Sequence, residues 1–232
     1  MTSPVPYVLS EPENLPAVGR KKFDAYFTPP ALAHAAAGWL ARDGFLVDGM
    51  RVLEPSAGKG AWVDAVRAHI SPESMLAIDI DPDRCCELKA RGIPALEGDF
   101  LAHDGASLAI TSPWYPEVKS VDFDALVGNP PYTGAEAHVR RALALRSRFG
   151  MVAFLLRLSL LESKERIPFW KEHPASKVYV LSERPSFSGG TGTDNAAYAV
   201  ICWAKWHRGP TELAVCSWKS PGFLSPVSTE IP

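Results

Sequence analysis

The sequence predicts a doubly wound α/β domain with a mostly parallel sheet, and three observations carry that prediction. Short apolar segments of strand type alternate with segments of helix type at spacings that suit βαβ units. A Gly-rich turn, Pro55-Ser56-Ala57-Gly58-Lys59-Gly60, separates the first such strand from a helix. With 232 residues and 47% apolar content, the chain can bury one substantial core without a second domain.

Residues 1–25, rich in Pro, Glu and Asn, read as a flexible leader. Pro30 fits the first turn of a helix, with Thr28 near its N-cap and good helix formers from Ala31 to Leu40. Arg51 to Glu54 is a short strand, and Ala61 to His69 a helix after the Gly turn. Met75 to Ile78 forms the second strand, ending in Asp79; a helix over Pro82 to Arg91 and a third strand over Pro94 to Glu97 follow. Beyond Phe100, about two dozen residues through Ser112-Pro113-Trp114-Tyr115-Pro116 show no period, and loops this long are usually functional or mobile. Asp124 to Gly128 reads as a buried strand, Ala135 to Ser147 as a helix, Met151 to Leu156 as another buried strand and Leu160 to Lys171 as a helix. Lys177 to Leu181 and Ala196 to Trp203 form a closing antiparallel pair, which makes a seven-stranded sheet with a terminal antiparallel strand. The folded domain is expected over 26–207 and an irregular Pro/Ser-rich tail over 208–232.

Composition narrows the classes of function. There is no apolar run of about 18 residues, and Met1-Thr2-Ser3-Pro4 opens neither a charged nor an apolar signal region, so no membrane association and a cytoplasmic location are expected. Cys85, Cys86, Cys202 and Cys216 make no zinc-type spacing and the six histidines no HxxxH pair, so no metal is expected. The net charge of −2 hides an asymmetry. Residues 1–133 hold 11 Lys and Arg against 18 Asp and Glu, whereas 134–210 hold 12 against 6. Arg140, Arg141, Arg146 and Arg148 crowd one helix-like segment, which either faces phosphate or is a solvated helix face.

Asn129-Pro130-Pro131-Tyr132 carries the chemistry. It follows an apolar strand, at the carboxyl end where open α/β sheets bind ligands. An exocyclic amino group on a conjugated ring is a poor nucleophile because its lone pair is delocalised. The Asn129 side-chain oxygen and the Pro130 carbonyl can accept both of its N–H hydrogens and redirect that pair toward a methyl donor. The prolines fix the backbone without competing donors, and Tyr132 can stack on the acceptor. On the donor side, Gly58 and Gly60 allow close backbone approach but match neither GxGxxG nor the P-loop. Asp79, 19 residues after Gly60, stands where a carboxylate meets ribose hydroxyls, so a nucleoside without phosphates is the expected guest.

Together these residues resemble the S-adenosylmethionine-dependent DNA adenine-N6 methyltransferases, over most of residues 26–206. Tyr26-Phe27-Thr28-Pro29-Pro30 is similar to the family's N-terminal donor-binding element, and Leu53 to Gly60 to its glycine-rich motif. The resemblance implies a Rossmann-like class I methyltransferase fold with S-adenosyl-L-methionine held by Thr28, Pro29, Glu54, Pro55, Ala57, Gly58, Gly60, Asp79, Asp99 and Phe100. It makes Asn129, Pro130, Pro131 and Tyr132 catalytic, and Phe187 a second aromatic for an extruded base. With the Thr-Pro element ahead of the Gly loop and the tetrad after it, the motif order resembles the γ-type permutation. Ser112-Pro113-Trp114-Tyr115 lacks the second proline of the related cytosine-N4 tetrads. Many family members carry a large target-recognition domain after the last strand, and none is expected here. Specificity then rests on loops 102–123 and 182–195 or on a partner chain. RNA adenine, a protein glutamine amide, or a catalytically silent donor-binding subunit remain alternatives to DNA methylation.

Overall fold

The computed structural model describes residues 26–102, 122–187 and 194–220, together with the backbone of 224–226. Pro29 caps α1 (Pro30–Arg42), and Pro30 occupies the first helical position without sacrificing a hydrogen bond. Thr28, the expected N-cap, stands one residue earlier, is buried and makes no capping bond. The chain continues through β1 (Arg51–Glu54), α2 (Ala61–His69), β2 (Ser74–Asp79), α3 (Pro82–Ala90) and β3 (Ala95–Glu97). After residues 103–121, which lie outside the described part and include Ser112, Trp114 and Tyr115, come β4 (Phe123–Gly128), α4 (Ala135–Leu145) and β5 (Arg146–Arg157). Then follow α5 (Ile167–Glu172), β6 (Lys177–Leu181), β7 (Tyr198–Ala204), β8 (Glu212–Cys216) and β9 (Leu224–Pro226).

The strands form one sheet in the order β3-β2-β1-β4-β5-β7-β6-β8-β9. β1 to β5 run parallel, and β7 is antiparallel to both β5 and β6. Alternation along the strands builds a core on each face. Val52, Ala77, Val127 and Leu155 pack with the helices α1 to α3, while Leu53, Ile78, Leu126 and Phe154 pack with α4 and α5. Arg51 clasps Asp124 through Nε (2.9 Å) and Nη2 (3.1 Å), which fixes β1 beside β4 at their amino ends. The strand order reverses between β1 and β4, so their carboxyl ends, Glu54 and Gly128, flank the crevice where such sheets bind ligands.

Three expectations need correction. The sheet has nine strands, because residues expected to be irregular supply β8 and β9. Lys177 joins β8 to the body by pairing with both Glu212 and Asp43, each at 2.9 Å. Tyr179 also donates to Asp43 (2.8 Å); burial opposes the Asp43 charge, yet the Arg42, Lys177 and Tyr179 donors hold its pKa down to about 2. The expected helix from Leu160 to Lys171 is broken into 3₁₀ turns at Leu158–Leu161 and Lys164–Arg166, followed by α5. Ser163 adopts φ +96° between the turns and accepts a hydrogen bond from Glu165 N–H, and Pro168 stands in the first turn of α5. Finally, the four arginines do not share a helix: α4 ends at Leu145, and Arg146 and Arg148 belong to β5. Arg140 is engaged by Glu136 and Glu172, and Arg146 donates to the Trp203 carbonyl.

Candidate active site

A cavity of about 470 Å³ opens at the carboxyl ends of β1, β2, β3 and β4. The expected donor residues Pro55, Gly58, Asp79, Asp99 and Phe100 line it, as do Asn129, Pro130 and Pro131. Thr28, Glu54 and Ala57 line a small adjoining recess of about 30 Å³ whose wall also includes Asn129. Pro29 and Gly60 line neither: Pro29 caps α1, and Gly60 closes the loop. The loop needs its glycines. Gly58 (φ +52°) and Gly60 (φ +77°) lie in the left-handed region, and a Cβ on them would stand 2.9 Å from the Phe27 ring and 2.8 Å from Leu88 respectively.

Asp79 organises this turn. One carboxylate oxygen accepts from Gly58 N–H (2.6 Å) and the other from Asp81 N–H (2.9 Å). A carboxylate has about four acceptor sites, so lone pairs remain for hydroxyl donors. Asp99 accepts from Leu101 N–H (2.9 Å) and likewise keeps acceptor capacity. Glu54, 1% exposed, accepts from Val63 N–H (3.1 Å); burial raises its pKa well above the ordinary range despite that bond. Trp62 stands in the same recess, and its buried indole N–H has no hydrogen-bond partner among the described residues.

Two residues of the cavity wall received no individual role from sequence. His138 forms part of the cavity wall and stacks on Phe100 with centroids 5.9 Å apart, its Nδ1 3.1 Å from the Gly134 carbonyl. Burial lowers its pKa, outweighing that contact. The signal was present in the spacing: Ala135, His138, Val139, Ala142 and Leu145 make the buried stripe of α4. The second residue is Phe27, whose ring lies under Lys59 and Arg84 at 5.1 and 4.8 Å, beside the Gly loop.

Asn129 occupies the junction. Its Nδ2 donates to the Tyr26 carbonyl at 2.8 Å, while its buried Oδ1 has no partner among the described residues. On the far side, Tyr132 lines a second cavity of about 300 Å³ with Glu136, Arg157, Ser159 and Arg166. The Tyr132 ring is already in company: the Arg157 guanidinium lies 4.5 Å from its centroid and the Tyr26 ring 5.2 Å away at a 33° tilt. Arg157 is held in turn by the Tyr198 hydroxyl (3.2 Å) and Asp194 (3.7 Å). Phe187, expected to offer a face to a base, is only 7% exposed and packs edge-on against Tyr26, Tyr132 and Tyr198. In this conformation it is an anchor of the aromatic cluster. Residues 188–193 of its loop lie outside the described part.

The comparisons bear on the fold. The chain resembles the M protein of the type I restriction enzyme EcoKI, with a TM-score of 0.60 and 12% identity over 84% of this chain and 48% of that one. A Listeria monocytogenes protein assigned to the class I S-adenosylmethionine-dependent methyltransferases gives a TM-score of 0.59 at 12% identity, covering 88% and 69% of the two chains. An Agrobacterium tumefaciens protein assigned as an O-methyltransferase gives 0.53 at 19% identity, covering 82% and 86%. The chain thus has the Rossmann-like class I methyltransferase fold, and it spans about half the length of the EcoKI M protein. No protein-family model and no curated protein matches its sequence.

Proposed function

We propose that this protein is an S-adenosylmethionine-dependent methyltransferase that modifies the N6 amino group of adenine in DNA. The observation that carries the proposal is the Asn129 amide, with its nitrogen turned away to Tyr26 and its buried oxygen left without a partner beside the donor cavity. A buried acceptor without a donor costs about 1–3 kcal/mol, and a substrate amino group relieves that cost. The donor supplies an electrophilic methyl on a sulfonium, so the chain has only to position and polarise the acceptor.

The residues fit that donor. Asp79 and Asp99 offer lone pairs to ribose hydroxyls and to an adenine amino group, and Phe100 with Ile80 gives apolar walls. The polar groups of the recess include an acceptor, Glu54, and a donor, the Trp62 indole N–H, as the zwitterionic end of an amino acid requires. Asn129 Oδ1 and the Pro130 carbonyl take the two hydrogens of the acceptor amine, and oriented encounter of this kind lowers a barrier by roughly 7–11 kcal/mol. The cavity at Tyr132 receives the acceptor base. Likeness of fold to a restriction-enzyme M protein supports DNA as the polymer. A partner chain, or the segments 102–123 and 182–195, supplies target recognition.

The test is a split of function. Asn129→Ala is expected to lower methyl transfer at least a hundredfold, about the effect of losing one preorganised acceptor at a reacting centre, with S-adenosylhomocysteine affinity unchanged within about threefold by calorimetry. Equal loss of both would make Asn129 a structural residue and remove the basis of the proposal.

A further inference from the structure

An amide side chain can be seated two ways, and only one serves the reaction proposed above. If Asn129 turned over, its NH₂ would face the acceptor's own N–H groups, donor against donor. The orientation seen here follows from chemistry: the Tyr26 carbonyl only accepts, so the nitrogen must face it at 2.8 Å and the oxygen must face away. That carbonyl belongs to the peptide between two anchored rings. The Tyr26 ring leans on Tyr132 (5.2 Å) and meets Phe187 edge-on (5.9 Å). The Phe27 ring is clamped by Lys59 and Arg84 and lies against Gly58. Tyr26 therefore touches both cavities, donor and acceptor, and its main chain sets the polarity of the residue between them.

We propose that Tyr26 is a positioning residue whose anchored carbonyl selects the reactive orientation of the Asn129 amide. The inference rests on the adenine-methylation reading for its purpose, and on the Tyr26–Asn129 contact alone for its physics. One hydrogen bond of ordinary net strength favours the correct seat by about five- to tenfold, so losing the anchor lowers turnover by about that factor. The ring acts through packing, so Phe should replace Tyr where Ala or Leu should not.

The experiment pairs kinetics with nitrogen-15 NMR on the full chain, the Asn129 side-chain amide being identified by its loss in Asn129→Ala. In the wild type and Tyr26→Phe, the Asn129 NH₂ protons are expected to exchange slowly. In Tyr26→Leu or Tyr26→Ala they should exchange at least tenfold faster, with kcat lowered about five- to tenfold, folding retained by circular dichroism, and Tyr26→Phe within about threefold of wild type. An unchanged Asn129 amide in folded Tyr26→Leu overturns the proposal. So does Tyr26→Phe as impaired as Tyr26→Leu, which would assign the effect to the hydroxyl. If the wild type methylates no DNA while the amide still responds to Tyr26, the functional reading falls and the positioning role stands.

Discussion

The two halves of the site, proposed above as donor side and acceptor side, are built on different plans. The donor half is open and waiting: a cavity of about 470 Å³ whose carboxylates are already held by the Gly58, Asp81 and Leu101 amides. In the acceptor half the rings are already engaged: Tyr26, Tyr132, Phe187 and Tyr198 pack ring to ring and Arg157 lies over Tyr132, beside a cavity of about 300 Å³. A small donor can enter a site fixed in advance. On the proposed reading, a base drawn from a polymer brings its own stacking surface to this aromatic cluster.

Changes that strike one half and spare the other put this contrast to the test. The largest effect is expected from Phe187→Ala. Removing a buried ring from the aromatic cluster should cost about 3–5 kcal/mol of stability by denaturant unfolding, with donor affinity unchanged. If stability held and only DNA binding fell, Phe187 would be a stacking residue and not an anchor of the cluster. Asp79→Ala works on the other half. It removes acceptors for the donor and the two bonds that shape the loop, so S-adenosylhomocysteine affinity should fall about a hundredfold by calorimetry, roughly 2.7 kcal/mol, with DNA binding intact.

Glu54 gives a pH signature. Burial raises its pKa, so the free protein holds it protonated up to a higher pH than usual, whereas a bound ammonium needs the carboxylate. Donor binding should then release a proton and strengthen by up to about tenfold per pH unit as pH rises toward the raised pKa. Calorimetry in buffers of different ionisation enthalpy measures that proton, and Glu54→Gln should abolish it. The smallest change is Trp62→Phe, which keeps the packing and deletes one unpartnered N–H. Donor affinity should weaken about fivefold, the worth of a single hydrogen bond, and no change would exclude the indole from the donor site.

The same division explains what the sequence disclosed. The donor half comes from short local units, a strand end and the turn or acid that follows it. Glu54, Gly58, Asp79 and Asp99 therefore stand in the order in which they are read, and all four line the cavity or its recess. The acceptor half joins Tyr26, Tyr132, Arg157, Asp194 and Tyr198, drawn together from across the chain by β5 and β7, and no spacing rule brings them together. Phe187 was visible as an aromatic, but its burial depends on those distant rings. β8 was hidden for another reason. Its buried positions are the small Ala214 and Cys216, while Leu213 and Val215 point outward, so its pattern is weak and its place depends on the parallel ladder with β6. The broken helix after Leu160 shows Pro168 and the unusual Ser163 backbone overriding a helical composition.

The central claim is that Asn129 holds an adenine amino group of DNA against a sulfonium methyl. Its most direct test offers the purified protein methyl-labelled S-adenosylmethionine with double-stranded DNA, single-stranded DNA, RNA and protein in parallel, and identifies the modified product by mass. The account predicts N6-methyladenine in DNA, absent with Asn129→Ala. Label found only in RNA or only in protein would contradict it.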